Sequence, residues 1–376
     1  MKKLNILMIA SEFPPKCAGI GMSAYWLSKA LVKKGHNVTV LTRGKHFTET
    51  KRNMDGITVI ELPFIALIPP FHLMYHGYFL NKKIGELETS FDVIHLHTPL
   101  VPKIKSNIPK ITSVHSLWME ETRHFNDGTD AYSLAVRLFK KQVVDSEIDT
   151  LRQTDRIIAY PNYADKLKKF YRIKSTPIST TNGMIYSDLS VKQNIKQKYD
   201  VIFVGRLNIR KGVKELLSAA KLIVQKNAKV KFLIIGEGSL KKWMQKEISR
   251  NKLEDNFKFL GFVPNKDLSK YLNRSSVFVM PSRYESFGIV IGEAMSKGLP
   301  VVSTRTEGSE RLVKNGITGY LVKIGDYTSL ASKILILLEN KNIRTQMGRA
   351  GKKRIAKYFN PKTAAAQSET IYRQIL

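Results

Sequence analysis

Along this chain, short apolar, β-branched runs alternate with longer stretches in which apolar residues recur every three or four positions. That alternation predicts βαβ units feeding a parallel sheet. In the first half the candidate strands are Leu4–Ala10, Asn37–Leu41, Val93–His97, Ile111–His115, Arg156–Tyr160 and Pro177–Thr181. Ser23–Lys34 puts Tyr25, Trp26, Ala30 and Leu31 on one helical face, and Gly35 ends it. Near Asp200 the pattern restarts. Val201–Val204, Val230–Ile235, Phe257–Leu260, Val277–Met280, Pro300–Ser303 and Tyr320–Val322 read as a second set of strands, with helices over segments such as Lys214–Gln225 and Ser329–Leu338. The polar, lysine-rich stretch 187–198 reads as a linker. The expected organisation is an N-terminal Rossmann-like α/β domain over 1–186, a second over 199–360, and a final helix over 361–376. Two such domains facing each other would bind a ligand in the cleft at the carboxyl ends of their strands.

A length of 376 residues suits two domains. Hydrophobic residues at 43% and charged residues at 25% are ordinary globular values. Cys17 is the one cysteine, so an intramolecular disulfide is impossible and a reducing, cytoplasmic setting is expected. The apolar run Leu4–Ala10 is short and is followed by Glu12 and two prolines, which favours a buried strand over a signal peptide. The most apolar longer stretch, Ile57–Phe71, is broken by Glu61, Pro63, Pro69 and Pro70, and falls short of the roughly 20 residues a spanning helix needs. What stands out is a net charge of +31, spread over both halves with the larger share in the second. Such a field attracts nucleic acid, anionic lipid headgroups or diphosphates. A lysine-loaded surface with no specific partner is the plainer reading.

Candidate chemistry gathers where strands give way to helices. Pro281-Ser-Arg-Tyr-Glu285-Ser-Phe-Gly-Ile-Val-Ile-Gly-Glu293 leaves a strand and opens a helix. Glu285 falls in the turn and Glu293 on the helix, so two carboxylates can grip separate polar groups of one ligand around an anion-binding helix start. On spacing alone, Glu285 as a helix cap and Glu293 on a solvated face remain open. Gly205-Arg206 through Lys211-Gly212 also leaves a strand, and Arg206 with Lys211 suits a diphosphate clamp. Gly236-Glu-Gly238 offers a further close backbone approach. Ala18-Gly19-Ile-Gly21 approaches the dinucleotide fingerprint but lacks its third glycine, and no acid ends the second strand, so NAD is poorly supported. His95, His97 and His115 lie at neighbouring strand ends without a carboxylate cluster, which argues for hydrogen bonding rather than a metal.

Taken together, these segments resemble the family-4 retaining glycosyltransferases over nearly the whole chain. The resemblance rests on Pro14-Pro15 with Ala18-Gly-Ile-Gly21, Leu31 through His36, Asp92-Val-Ile-His-Leu-His97, Val114-His115, Val204-Gly-Arg206 with Lys211-Gly212, Gly236-Glu-Gly238, and Glu285-Ser-Phe-Gly with Glu293-Ala. It implies the GT-B fold, with the C-terminal helix packing back on the first domain. It implies transfer of a hexosyl unit from a nucleotide-diphosphate sugar, UDP- or GDP-linked, with no metal or other cofactor. In the implied site, Arg206 and Lys211 bind the diphosphate, Gly19 and Gly21 touch the phosphates, and Glu293 holds the ribose. Glu285 and the backbone of Ser286, Phe287 and Gly288 hold the sugar hydroxyls, His115 reaches the sugar, and the base lies near Phe262 and Val263. Two departures stand out: the family's Asn-Gly-Val-Asp reads Asn182-Gly-Met-Ile185, and its Gly-Gly-x-x-Glu reads Glu307-Gly-Ser-Glu-Arg311.

For the acceptor, the aromatic stretch Pro63–Phe71, continuing through Met74, Tyr75, Tyr78 and Phe79 to Lys82-Lys83, suits an anionic membrane surface. The stretch Leu117–His124 resembles the lipid-glycosylating branch of the family. The expectation is therefore a lipid, lipid-linked or glycan acceptor at the cytoplasmic membrane face. A soluble acceptor and a nucleotide-sugar 2-epimerase are the alternatives. Nucleic-acid binding has charge in its favour but no recognition motif.

Overall fold

The computed structural model describes residues 2–15, 17, 19–44, 47–65, 71–122, 131–174, 176–181, 183, 185 and 197–376. Most of the segment read as a linker, together with Ala18, residues 66–70, Arg123, His124, Asn182 and Met184, lies outside them. Two compact units emerge, one formed by 1–184 with 361–376 and the other by 185–360.

The first unit is built on strands β1 (Asn5–Ala10), β2 (Asn37–Arg43), β3 (Thr50–Met54), β4 (Ile57–Leu62), β5 (Val93–Thr98), β6 (Lys110–Val114), β7 (Arg156–Ala159) and β8 (Ile178–Thr180). Their helices are α1 (Gly19–Lys33), α2 (Phe71–Leu87), α3 (Trp118–Glu121), α4 (Ala131–Leu138), α5 (Lys140–Arg152) and α6 (Pro161–Lys169). The sheet order is β3-β4-β2-β1-β5-β6-β7-β8, and only the β3–β4 pair is antiparallel. A central parallel strand is covered on both faces, which is why β1 is an unbroken apolar run. Ile6 and Met8 pack with Val38, Val40 and the α1 residues Ala24, Leu27 and Leu31. Leu7 and Ile9 point the other way, toward Leu41, Ile94, Leu96 and the α2 residues Leu80 and Ile84. The β3–β4 hairpin was not anticipated, although its turn carries a clear signal. Asp55 and Gly56 both take positive φ (54° and 80°), the Asp-Gly pair favoured in two-residue hairpin turns.

The second unit holds β9 (Tyr199–Val204), β10 (Phe232–Ile235), β11 (Phe257–Gly261), β12 (Ser275–Met280), β13 (Val301–Thr304) and β14 (Gly319–Val322). These form a six-stranded parallel sheet in the order β11-β10-β9-β12-β13-β14. Its helices are α7 (Val213–Lys226), α8 (Lys241–Arg250), α9 (Asn265–Leu272), α10 (Ile289–Ser296), α11 (Glu307–Leu312), α12 (Tyr327–Glu339) and α13 (Lys341–Tyr358). The strand order turns outward in both directions from β9 and β12, so the loops after these two strands open at the point where ligands bind doubly wound sheets.

Helix α14 (Pro361–Ile375) returns the chain to the first unit. Ala365, Ile371 and Tyr372 join the core beneath α1. Glu369, nearly inaccessible, takes Lys34 at 3.0 Å and Arg373 at 2.8 Å, and those cations hold its carboxyl down to about 2. Among the described residues, no helix is long and apolar enough to cross a membrane.

Candidate functional site

In the second unit the loops after β9 and β12 are stitched to each other, and the stitching decides where two charges sit. After β9 the chain runs through Gly205 and exposed Arg206 into a 3₁₀ turn, Ile209–Lys211. Asn208 caps that turn by accepting the Lys211 backbone N–H at 3.1 Å. Gly212 then adopts φ 70° and starts α7. From the other side, the Arg283 backbone N–H donates to the Arg210 carbonyl at 2.8 Å. The Arg283 guanidinium holds buried Glu215 on α7 through two N–H groups, at 3.0 and 2.6 Å. Between these ties the Lys211 ammonium donates to the Glu285 carboxylate, and both side chains are largely buried.

Glu285 is fixed further along its own loop. Its carbonyl accepts from Gly308 N–H at 2.8 Å, and the Ser286 carbonyl accepts from Arg311 at 3.2 Å. Phe287 is buried, and Gly288, at φ 85°, begins α10. Neither α7 nor α10 has a side-chain cap at its start. A helix N-terminus without a side-chain cap favours an anion. Sequence reasoning placed Lys211 and Glu285 correctly at strand ends but missed Asn208, Glu215 and Arg283, which hold them. An asparagine three residues before Lys211 was a readable cap signal. The Arg283–Glu215 pair, 68 positions apart, had none.

Glu293 lies on α10, where burial pushes its carboxyl up to about 7, partly offset by Lys297. A raised acid binds a proton in the folded state that the unfolded chain releases from about 4.5 upward, so it costs stability as pH rises through that window. Glu293→Gln is expected to raise the melting temperature of this unit at pH 8 and to leave it nearly unchanged at pH 4. Scanning calorimetry at both values checks this, and an equal effect at the two would remove the desolvation argument. Alongside, Ile185 is 1% exposed and covers Gly292, where a β-carbon would stand 2.4 Å from it. The position at which the family pattern has an acid is thus an apolar lid on α10. The second departure falls on α11, where Thr306 and Ser309 form a capping box and Glu310 faces Arg305 at 3.4 Å.

Gly236 (φ 133°) is pressed against the Gly205 carbonyl oxygen, only 1.9 Å from where a β-carbon would stand, and Gly238 abuts the Leu207 backbone. These glycines pack one loop on the next. Phe262, just past β11, is 66% exposed, with Val263 half-buried beside it.

In the first unit, Gly19 is exposed at the start of α1 and Gly21 is buried against the Glu12 backbone. His115 follows β6 and is half-buried, with burial lowering it to about 4. His97 Nδ1 stands 2.9 Å from His115 Nε2, and His95 bonds Tyr372 at 2.6 Å and Ser113 at 2.8 Å. No group of three or more metal-ligating side chains occurs among the described residues.

Residues 18–183 match the model for Glycosyltransferase Family 4, and residues 187–354 match the model for Glycosyl transferases group 1. The N-acetyl-alpha-D-glucosaminyl L-malate synthase of Bacillus anthracis is 26% identical over 380 residues, covering 96% of this chain and 95% of its own. Among solved structures, sucrose-phosphate synthase of Thermosynechococcus elongatus superposes with a TM-score of 0.80 at 20% identity, covering 99% of each chain. Anabaena Alr3699/HepE, solved with UDP and glucose, gives a TM-score of 0.68 at 20% identity and covers 98% of this chain and 99% of its own. The fold they share with this protein is GT-B, two Rossmann-like domains.

Proposed function

Because this chain belongs to the family-4 glycosyltransferases, we propose that it moves a hexosyl unit from UDP-sugar to a lipid or lipid-linked acceptor with retention of configuration. The observation that carries the donor half is the meeting of Lys211 and Glu285 between two uncapped helix starts. In this reading the diphosphate lies against Arg206, Lys211 and the N–H groups of α7 and α10. As the glycosidic bond breaks, negative charge grows on the leaving phosphate, and these fixed donors stabilise it. Glu285 and the backbone of Ser286, Phe287 and Gly288 take the sugar hydroxyls, Glu293 takes the ribose, and exposed Phe262 with Val263 takes the base. For Gly19, Gly21 and His115 of the first unit, the donor-contacting roles are those the family resemblance implies. The leaving phosphate then accepts the acceptor hydroxyl's proton on the face it departs from, which gives retention.

UDP is preferred over GDP because Anabaena Alr3699/HepE holds it. A thermal-shift panel of UDP, GDP and ADP tests this: UDP is expected to raise the melting temperature, since it binds the folded state alone. A shift with GDP only would change the base, and no shift with any of the three would overturn the site.

Support for the lipid half comes from α2. Its outward face carries Phe71, Met74 and Tyr78, the last two 68% and 67% exposed. Phe71 meets Phe139 edge-on at 5.9 Å, which brings exposed Leu134 and Leu138 of α4 into the same surface. Exposed Lys82, Arg137, Lys140 and Lys141 lie on the same helices or close by in the chain. An apolar patch with such cations nearby in the chain matches an anionic bilayer. Flotation with phosphatidylglycerol vesicles is expected, and Met74→Asp with Tyr78→Asp should weaken it. A chain that ignores vesicles yet transfers sugar to a soluble acceptor would overturn the lipid half and leave the donor half intact.

A further inference from the structure

Three histidines of the first unit form an ordered hydrogen-bond path. His97 and His115 have nearly parallel ring planes, 13° apart, and share one hydrogen bond of 2.9 Å between His97 Nδ1 and His115 Nε2. The other nitrogen of His97, Nε2, faces the Met8 sulfur at 3.2 Å. His95 stacks on His97 at 4.7 Å, and both its nitrogens are occupied, by Tyr372 and Ser113.

Burial holds His97 far below the ordinary imidazole value and His115 at about 4, so at neutral pH each ring is uncharged and has one donor and one acceptor nitrogen. Only one of the two shared nitrogens can carry the proton. Were it His97 Nδ1, the lone pair of His97 Nε2 would point at the Met8 sulfur. A thioether sulfur only accepts, so two acceptors would face each other in a dry interior. With the proton on His97 Nε2, that N–H donates to Met8, and His97 Nδ1 is left to accept from His115 Nε2–H. We infer that Met8 and His97 act together to lock His115 as the Nε2–H tautomer, leaving its Nδ1 as a pure hydrogen-bond acceptor for a hydroxyl of the transferred sugar.

The assignment of the sugar rests on the donor reading above. The lock itself rests only on three side chains from β1, β5 and the end of β6. Its consequence is selectivity: His115 takes a neutral hydroxyl donor and, with a bare lone pair on Nδ1, repels a phosphate oxygen. His97 is thus a positioning residue that acts through His115. A tautomer held by the partner on the far nitrogen is a familiar device in histidine sites.

Long-range proton–nitrogen correlation spectra of the ligand-free, histidine-labelled protein read the tautomer directly. The expected spectrum shows His115 with a protonated Nε2 and a bare Nδ1. Met8→Leu, which keeps volume but removes the acceptor, should give a mixture of the two tautomers. His97→Asn, which keeps an acceptor near Nδ1, should preserve the wild-type pattern, and His97→Phe should lose it. In titrations with UDP and UDP-glucose, His97→Phe should weaken UDP-glucose by about tenfold, the worth of one hydrogen bond, and leave UDP unchanged. An Nδ1-protonated His115 in the wild type, or a Met8→Leu spectrum identical to wild type, overturns the lock. The expected tautomer in a protein that binds no nucleotide sugar would instead overturn the donor reading and leave the lock in place.

Discussion

Lys211→Ala is expected to lower kcat by about 10²–10³ while changing UDP affinity far less. The asymmetry follows from where charge develops. A ground-state UDP-sugar already carries diphosphate charge, which in the proposed site Arg206 and the α7 and α10 starts also meet. The additional charge that appears as the glycosidic bond breaks falls on the leaving oxygen, and only a cation already in place meets it without reorganisation. Lys211 is in place because Asn208 fixes its backbone and Glu285 fixes its ammonium. Lys211→Arg is not a conservative rescue, because a planar fork cannot replace a point charge held by one carboxylate oxygen.

A purely structural explanation of the loss has to be separated from this one. Removing the lysine leaves Glu285 largely buried without its partner, which destabilises by itself. Glu285→Gln alone should also suppress turnover if, as proposed, Glu285 grips the sugar hydroxyls. In the double variant the two losses should be strongly non-additive, since the residues act as a unit. Circular dichroism and unfolding of each variant check whether the fold persists. Full turnover in a folded Lys211→Ala enzyme would dismiss the role assigned to the ion pair.

The strand–helix alternation was legible because a parallel sheet buried on both faces leaves long apolar runs. β1, β9 and β12 are such runs, and their positions follow from Ile6–Ile9, Val201–Val204 and Val277–Met280 without reference to anything distant. Thr50–Met54 escaped because an exposed edge strand of Thr, Lys, Arg, Asn and Met carries no such run. At the site, residue types at strand ends were readable, whereas the contacts between them were not. Lys211 and Glu285 are 74 positions apart, and their pairing is a property of the order β9-β12 in the sheet. Gly236 was read as a close-approach glycine; its β-carbon direction is filled by the Gly205 carbonyl, a packing between loops that sequence alone does not show. The histidines were read correctly as hydrogen-bonding residues, but their order depends on Met8, a residue that in sequence is merely one more apolar position of β1.

The second large effect is on stability, at the glycine beside Lys211. A β-carbon on Gly212 would stand 1.8 Å from the Pro281 carbonyl oxygen, and the residue holds φ at 70°. Gly212→Ala therefore combines left-handed strain of about 1–2 kcal/mol with an overlap that ends only if the β12 loop moves, for a total of roughly 3 kcal/mol or more. Gly316→Ala separates the two contributions. It has a similar φ of 78° but nothing within 4 Å of its β-carbon, so it carries the strain alone. For a unit of this size each kcal/mol lowers the melting temperature by about 2–4 °C. Gly212→Ala is thus expected to depress the melting temperature of this unit by about 6–12 °C, and Gly316→Ala by no more than about half as much. Because the overlapping atom belongs to the loop carrying Arg283 and Glu285, Gly212→Ala should also abolish the UDP-induced shift, which Gly316→Ala should retain. Equal losses at the two glycines would mean that the Pro281 loop yields freely. In that case the Lys211–Glu285 geometry would follow the ligand, with no fixed donor array waiting for it.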